Sequence, residues 1–223
     1  MPHSTDLDSL LAEINAQLAA LPDPTTETVR AVQRAFSARL KKAPARAVVE
    51  LGRRLLAGPT FFHRMVAYEL IHYHRAALAS LTAADLTRLG RGLDSWQAVD
   101  TFAPYLAGPA WRMGQVPDTL IAEWADSHDR WWRRAAVVST VALNNAARGG
   151  TGDAPRTLAI CALVVTDGDD MVIKALSWAL RELAKRDPAA VQAFLAQHDA
   201  VLAPRVKREV GHKLRTGLKN PKP

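Results

Sequence analysis

The sequence predicts an all-α protein, and three observations carry that prediction. Apolar residues recur at helical spacing along nearly the whole chain. No sustained run of alternating β-branched residues reads as a strand. Ala, Leu, Arg and Glu fill the segments between Pro and Gly stops, so local propensity agrees with the periodicity.

In chain order, the pattern places helices at residues 7–20, 27–42, 45–56, 60–76 and 83–91, and then at 96–105, 118–125 and 129–146. Four more follow at 155–165, 170–186, 188–197 and 204–218. Thr82 and Asp85 frame the start of the helix at 83–91 as a capping box with its acid one carbon short. Gly149-Gly150-Thr151-Gly152 reads as a turn between helix pairs, because it lacks the Lys of a phosphate-binding loop. Pro188 and Pro204 stand where a first helical turn tolerates a missing N–H.

Four segments look like variants of one another: those around Phe62 to Leu70, Ser95 to Phe102, Trp132 to Val138, and Val172 to Leu180. Their shared residues Ala67, Ala98, Ala135 and Ala175 are 31, 37 and 40 positions apart. Loose spacing of helical units argues for stacked HEAT-like helix pairs in a curved solenoid with a concave basic cleft. A compact helical bundle is the alternative. One helix of each pair would line the concave face, which draws attention to Trp96, Arg134 and Trp178.

The chain has 223 residues, enough for one generous domain over 1–223, with residues 1–25 a peripheral N-terminal helix and 219–223 a disordered basic tail. Its single cysteine, Cys161, excludes an internal disulfide or a thiolate zinc cluster and lies in an apolar run, as a buried inert thiol does. No apolar run approaches the roughly 18 residues of a membrane span, and Met1 to Ser4 opens no signal peptide, so a cytoplasmic protein is expected. His72 and His74 are two apart and point to different sides of a helix, without the partners of a metal site.

The net charge of +7 is uneven. Residues 205–223 hold seven Lys or Arg against Glu209 alone, and residues 30–54 hold eight against Glu50, while residues 1–29 carry five acids and no Lys or Arg. Either basic stretch can be a solvated face or a contact for a polyanion.

Three motifs carry the chemistry. Trp96 and Asp100 are four apart, one turn along one helical face; a core Trp beside a solvated Asp is the plainer reading. Trp131-Trp132-Arg133-Arg134-Ala135-Ala136 opens a helix, and since four consecutive residues exceed its circumference, Arg134 is the better candidate for the inner face and Arg133 for the outside. Ile173-Lys174-Ala175-Leu176-Ser177-Trp178-Ala179-Leu180-Arg181-Glu182 is amphipathic, with Trp178 readable as core.

Together and in this order, the three motifs resemble the DNA alkylation repair family of HEAT-like DNA glycosylases, with similarity from about residue 30 to residue 218. The resemblance implies an enzyme that hydrolyses the N-glycosidic bond of cationic N3- or N7-alkylated purines in duplex DNA, without flipping the base into a pocket. It makes Asp100 the catalytic carboxylate and Trp96 and Trp178 the aromatic walls against lesion and sugar. Arg134 is then a DNA phosphate contact, and Arg133, Lys174, Lys207 and Arg208 are further phosphate-binding candidates. No cofactor or metal is expected, and the partner is double-stranded DNA bound by a monomer. A non-catalytic DNA-binding relative and a protein–protein scaffold are the competing readings.

Overall fold

The computed structural model describes residues 6–218, and the tail expected at 219–223 lies outside them. Among the described residues every regular element is helical. Backbone packing divides the chain into two compact units, before and after the Gly92–Leu93 junction.

The first unit holds α1 (Leu7–Ala19), α2 (Thr26–Leu40), α3 (Ala45–Leu55), α4 (Phe61–Tyr73), α5 (Arg75–Ala79) and α6 (Ala83–Leu89). Asp6 caps α1 by accepting from the N–H groups of Asp8 and Ser9. The Thr82–Asp85 box at α6 forms as the sequence suggests, with each side chain accepting from the other's backbone N–H. Ile14, Val29, Phe36, Val48, Leu51, Leu55, Val66 and Ile71 are fully buried and join α1 to α4 in one core. The single helix expected over 60–76 is broken. His74 is extended, with φ −95° and ψ 95°, and its Nδ1 accepts from the Ala77 N–H at 3.0 Å, so the imidazole ends α4 and starts α5.

The second unit holds α7 (Trp96–Phe102), α8 (Gly108–Arg112), α9 (Asp118–Ala125), α10 (Arg130–Ser139) and α11 (Val141–Asn144). These are followed by α12 (Ala154–Leu163), α13 (Asp170–Leu183), α14 (Pro188–Gln197) and α15 (Pro204–Thr216). Helix α10 is its centre, buried from Arg134 to Ser139 and packed on α7, α9 and α13, while α13 also packs on α12 and α15. The order α7, α10, α13, α15 thus sets the helices that carry Trp96, Arg134, Trp178 and Arg208 side by side.

The helix expected to stop at 105 instead runs on through a π turn, Ala103–Ala107, into α8. Pro104 has no N–H to give the Asp100 carbonyl, and the wider turn accommodates it, with the Gly108 N–H donating to the Ala103 carbonyl. Gly108 then faces α10 and α11 closely. A Cβ there would lie 2.4 Å from the Ser139 carbonyl oxygen and 2.6 Å from the Ala142 Cβ. Gly108→Ala is therefore expected to destabilise the protein by about 1–3 kcal/mol. Thermal unfolding checks this, and an unchanged midpoint would refute the close approach.

Candidate active site

Three N-caps set the register of the motif helices. Ser95 Oγ accepts from the Ala98 N–H to start α7, Asp129 accepts from Trp131 N–H to start α10, and Asp169 accepts from Met171 N–H to start α13. Trp96 is thereby the first residue of α7 and 50% exposed, while Asp100, one turn later, turns inward.

Asp100 meets Arg134 there. Arg134 Nε donates to Oδ1 at 3.0 Å, and Nη2 donates to Oδ1 and Oδ2, both at 2.8 Å. Nη1 donates to the Met171 carbonyl at the start of α13. The guanidinium is 6% exposed and the carboxylate 21%. Three helices therefore converge on one fork of donors, the geometry for which Arg is suited and Lys is not. Burial pushes the Asp100 carboxyl above the ordinary aspartate value, and the neighbouring Arg134 charge and its hydrogen bonds offset that rise only in part.

Behind this pair Phe102, Trp124 and Trp132 form an aromatic cluster, with Trp124 and Trp132 rings 4.7 Å apart and Phe102 edge-on to Trp132 at 6.2 Å. Trp132 is thus packing, while Trp131 lies at the rim with the Arg130 guanidinium over its ring.

Beside the pair is a groove of about 360 Å³ lined by Arg134, Lys174, Trp178, Arg181, Arg205 and Glu209. Trp178 presents a partly exposed ring to it. Lys174 Nζ pairs with Asp170 at 2.6 Å, and Arg205 lies 3.7 Å from Asp170 and 3.6 Å from Glu209. Ser177 Oγ donates to Glu209 at 2.7 Å, joining α13 to α15. Arg181, Arg205 and Glu209 are site-lining residues that the motif reading passed over. Arg181 lay within the third motif without a role, and Arg205 and Glu209, one turn apart, lay within the basic stretch 205–223.

The other basic residues fall differently. Arg133 lies outside the groove: its Nε donates to Asp167 at 2.6 Å and its Nη1 to the Ser127 and His128 carbonyls, which ties two loops together. Arg134 likewise spends its fork on Asp100 and Met171 rather than facing solvent, so it orients the carboxylate where a phosphate contact was expected. Lys207 reaches the Asp199 carbonyl and carboxylate at the surface. Arg208 is exposed on α15 with no ion pair among the described residues. Cys161 is fully buried, its thiol pushed up to about 12 by burial, and is unreactive. Among the described residues no three His, Cys, Asp or Glu side chains gather as a metal site requires, and no helix is long and apolar enough to cross a membrane.

Residues 24–214, which include every one of these side chains, match the sequence model of the family described as DNA alkylation repair enzyme. The chain belongs to this family. Its role as a DNA alkylation repair enzyme implies a DNA substrate, and the Asp100–Arg134 pair and Trp178 lie inside the matched region. No curated protein matched the sequence of this repair enzyme significantly.

Proposed function

We propose that this repair enzyme is a DNA glycosylase that hydrolyses the N-glycosidic bond of cationic N3- or N7-alkylated purines in duplex DNA, acting as a monomer in the cytoplasm. The observation that carries the reading is the Asp100 carboxylate, held by the buried guanidinium of Arg134, a residue that itself lines a groove with Trp178.

An alkylated purine bears a formal positive charge, so it leaves as a neutral base when the N-glycosidic bond breaks and takes the bonding pair with it. Positive charge then grows on the deoxyribose. Protonation of the base is unnecessary; stabilisation of the sugar cation is what lowers the barrier. Asp100, fixed in place before the reaction, supplies a negative charge for it and an acceptor for a proton of the attacking water, whose oxygen bonds to the anomeric carbon. The ring faces of Trp96 and Trp178 attract the same cation by about 0.5–2 kcal/mol each, depending on desolvation. Arg134 acts through Asp100 as its positioning residue. Lys174 and Arg208, with Lys207 once its surface pair with Asp199 opens, serve the phosphates. Excision proceeds without flipping the base into a pocket.

Incubation with methylated duplex DNA tests this reading. Free 7-methylguanine or 3-methyladenine is expected to appear well above the spontaneous rate, and release no faster than in buffer would remove it. The raised Asp100 value adds a pH signature. Ionised Asp100 is the working form, so single-turnover release is expected to fall as pH drops through its folded-state value, with an acid limb above the roughly 3.9 of a solvated aspartate. Asp100→Asn should lack that limb, and a limb that persists in this variant would assign it to another group.

A further inference from the structure

We propose a second DNA-backbone site, in the first unit, where the end of α2 meets the α4–α5 break. It rests on the DNA substrate of the reading above and on no step of its chemistry. A groove of about 380 Å³ opens there, and Lys41, Tyr73, His74 and Arg75 line it together with Ser37 and apolar residues of α2, α4 and α5. None of its lining residues is acidic. Lys41 and Arg75 are exposed, and neither makes an ion pair among the described residues. Tyr73 is 57% exposed, more than any other large apolar or aromatic side chain described, and its ring stands edge-on to His72 at 4.9 Å.

The break at His74 makes this surface. With its Nδ1 committed to the Ala77 N–H, the imidazole turns the chain between Tyr73 and Arg75, so an aromatic face and a guanidinium flank one cap residue. Two uncompensated cations with an exposed ring between apolar walls match a phosphodiester strand: phosphates on Lys41 and Arg75, a sugar or base against Tyr73. The larger groove of the same unit, about 650 Å³ between α3 and α6, lacks this character. There Arg53 and Arg54 hold Glu50, whose carboxyl their hydrogen bonds bring down to about 2, and Arg54 also holds Asp8. Arg88 lies 3.8 Å from Asp85, so three of the four arginines lining it already face carboxylates and only Arg46 does not.

Binding of an undamaged duplex oligonucleotide, followed by fluorescence anisotropy between 50 and 200 mM salt, tests the site. The double variant Lys41→Gln, Arg75→Gln is expected to bind more weakly at low salt and to flatten the log–log salt slope by about 2, because each lost phosphate contact contributes about 0.9. Tyr73→Ala is expected to lower affinity at least about 5-fold, with Tyr73→Trp restoring it. All three positions are exposed, so thermal unfolding and base release at saturating DNA should be unchanged. Affinity and slope equal to those of the unaltered protein in both variants would overturn the site, as would an unaltered protein that does not bind duplex. A protein that binds this duplex but releases no base from methylated DNA would instead remove the glycosylase reading and leave the site standing.

Discussion

Asp100→Asn is expected to cut single-turnover base release about 10²–10³-fold while duplex affinity stays within about 2-fold. The amide is nearly the same shape and its oxygen still accepts from Arg134, so the helices stay in register. What it lacks is the negative charge that opposes the cation growing on the sugar, and that charge matters only in the transition state. A rate loss without a binding loss is the mark of such an interaction. Stability should move little, because burial already disfavours the ionised carboxylate. Turnover equal to that of the unaltered protein would show the carboxylate assignment to be wrong.

Arg134→Met is expected to act on rate and stability together. Removing the guanidinium strands a carboxylate that is only 21% exposed, and it also strips the Met171 carbonyl of its donor. Breaking one side of a buried pair costs about 3–5 kcal/mol, and with the residual exposure of Asp100 about 2–3 kcal/mol is expected here. Without its neighbouring positive charge Asp100 should titrate higher still, moving the acid limb of activity upward. Arg134→Lys should recover little, because one ammonium cannot deliver two nitrogens to a carboxylate and a third to a carbonyl. The salt slope of DNA binding separates this role from direct phosphate contact. A positioning residue leaves it unchanged, whereas a loss of about one unit would return Arg134 to the phosphate.

These two variants mark where sequence reading reached and where it stopped. The all-helical class was legible because 3.6-residue periodicity is a local property, as were the capping box at Thr82 and the helix starts at Pro188 and Pro204. The pairing of Asp100 with Arg134 was not, since the two lie 34 residues apart and only the packing of α7 on α10 brings them together. Arg134 was placed on the inner side from its neighbours Ala135 to Val138, but the same burial turns it onto a carboxylate and away from solvent. Arg133 looked like a spare cation because Asp167 and the Ser127 and His128 carbonyls are distant or mute in sequence. Helix ends failed where a side chain or ring changed backbone bonding. His74 imitated a backbone cap and split one helix, while the helix expected to end at 105 continued past Pro104 through a π turn into α8, which has Pro109 in its first turn. Glu209 joins α13 through Ser177, a bond between residues 32 positions apart that no spacing rule exposes.

The central claim is that the enzyme breaks the bond between base and sugar, and one measurement meets it directly. A duplex carrying a single 7-methylguanine is incubated with excess enzyme, and both free base and alkali-labile abasic site are counted over time. The account predicts that the two appear together, in equal amounts, and faster than in buffer. A strand that stays intact, whether the methylated base remains or unmodified guanine takes its place, would contradict it.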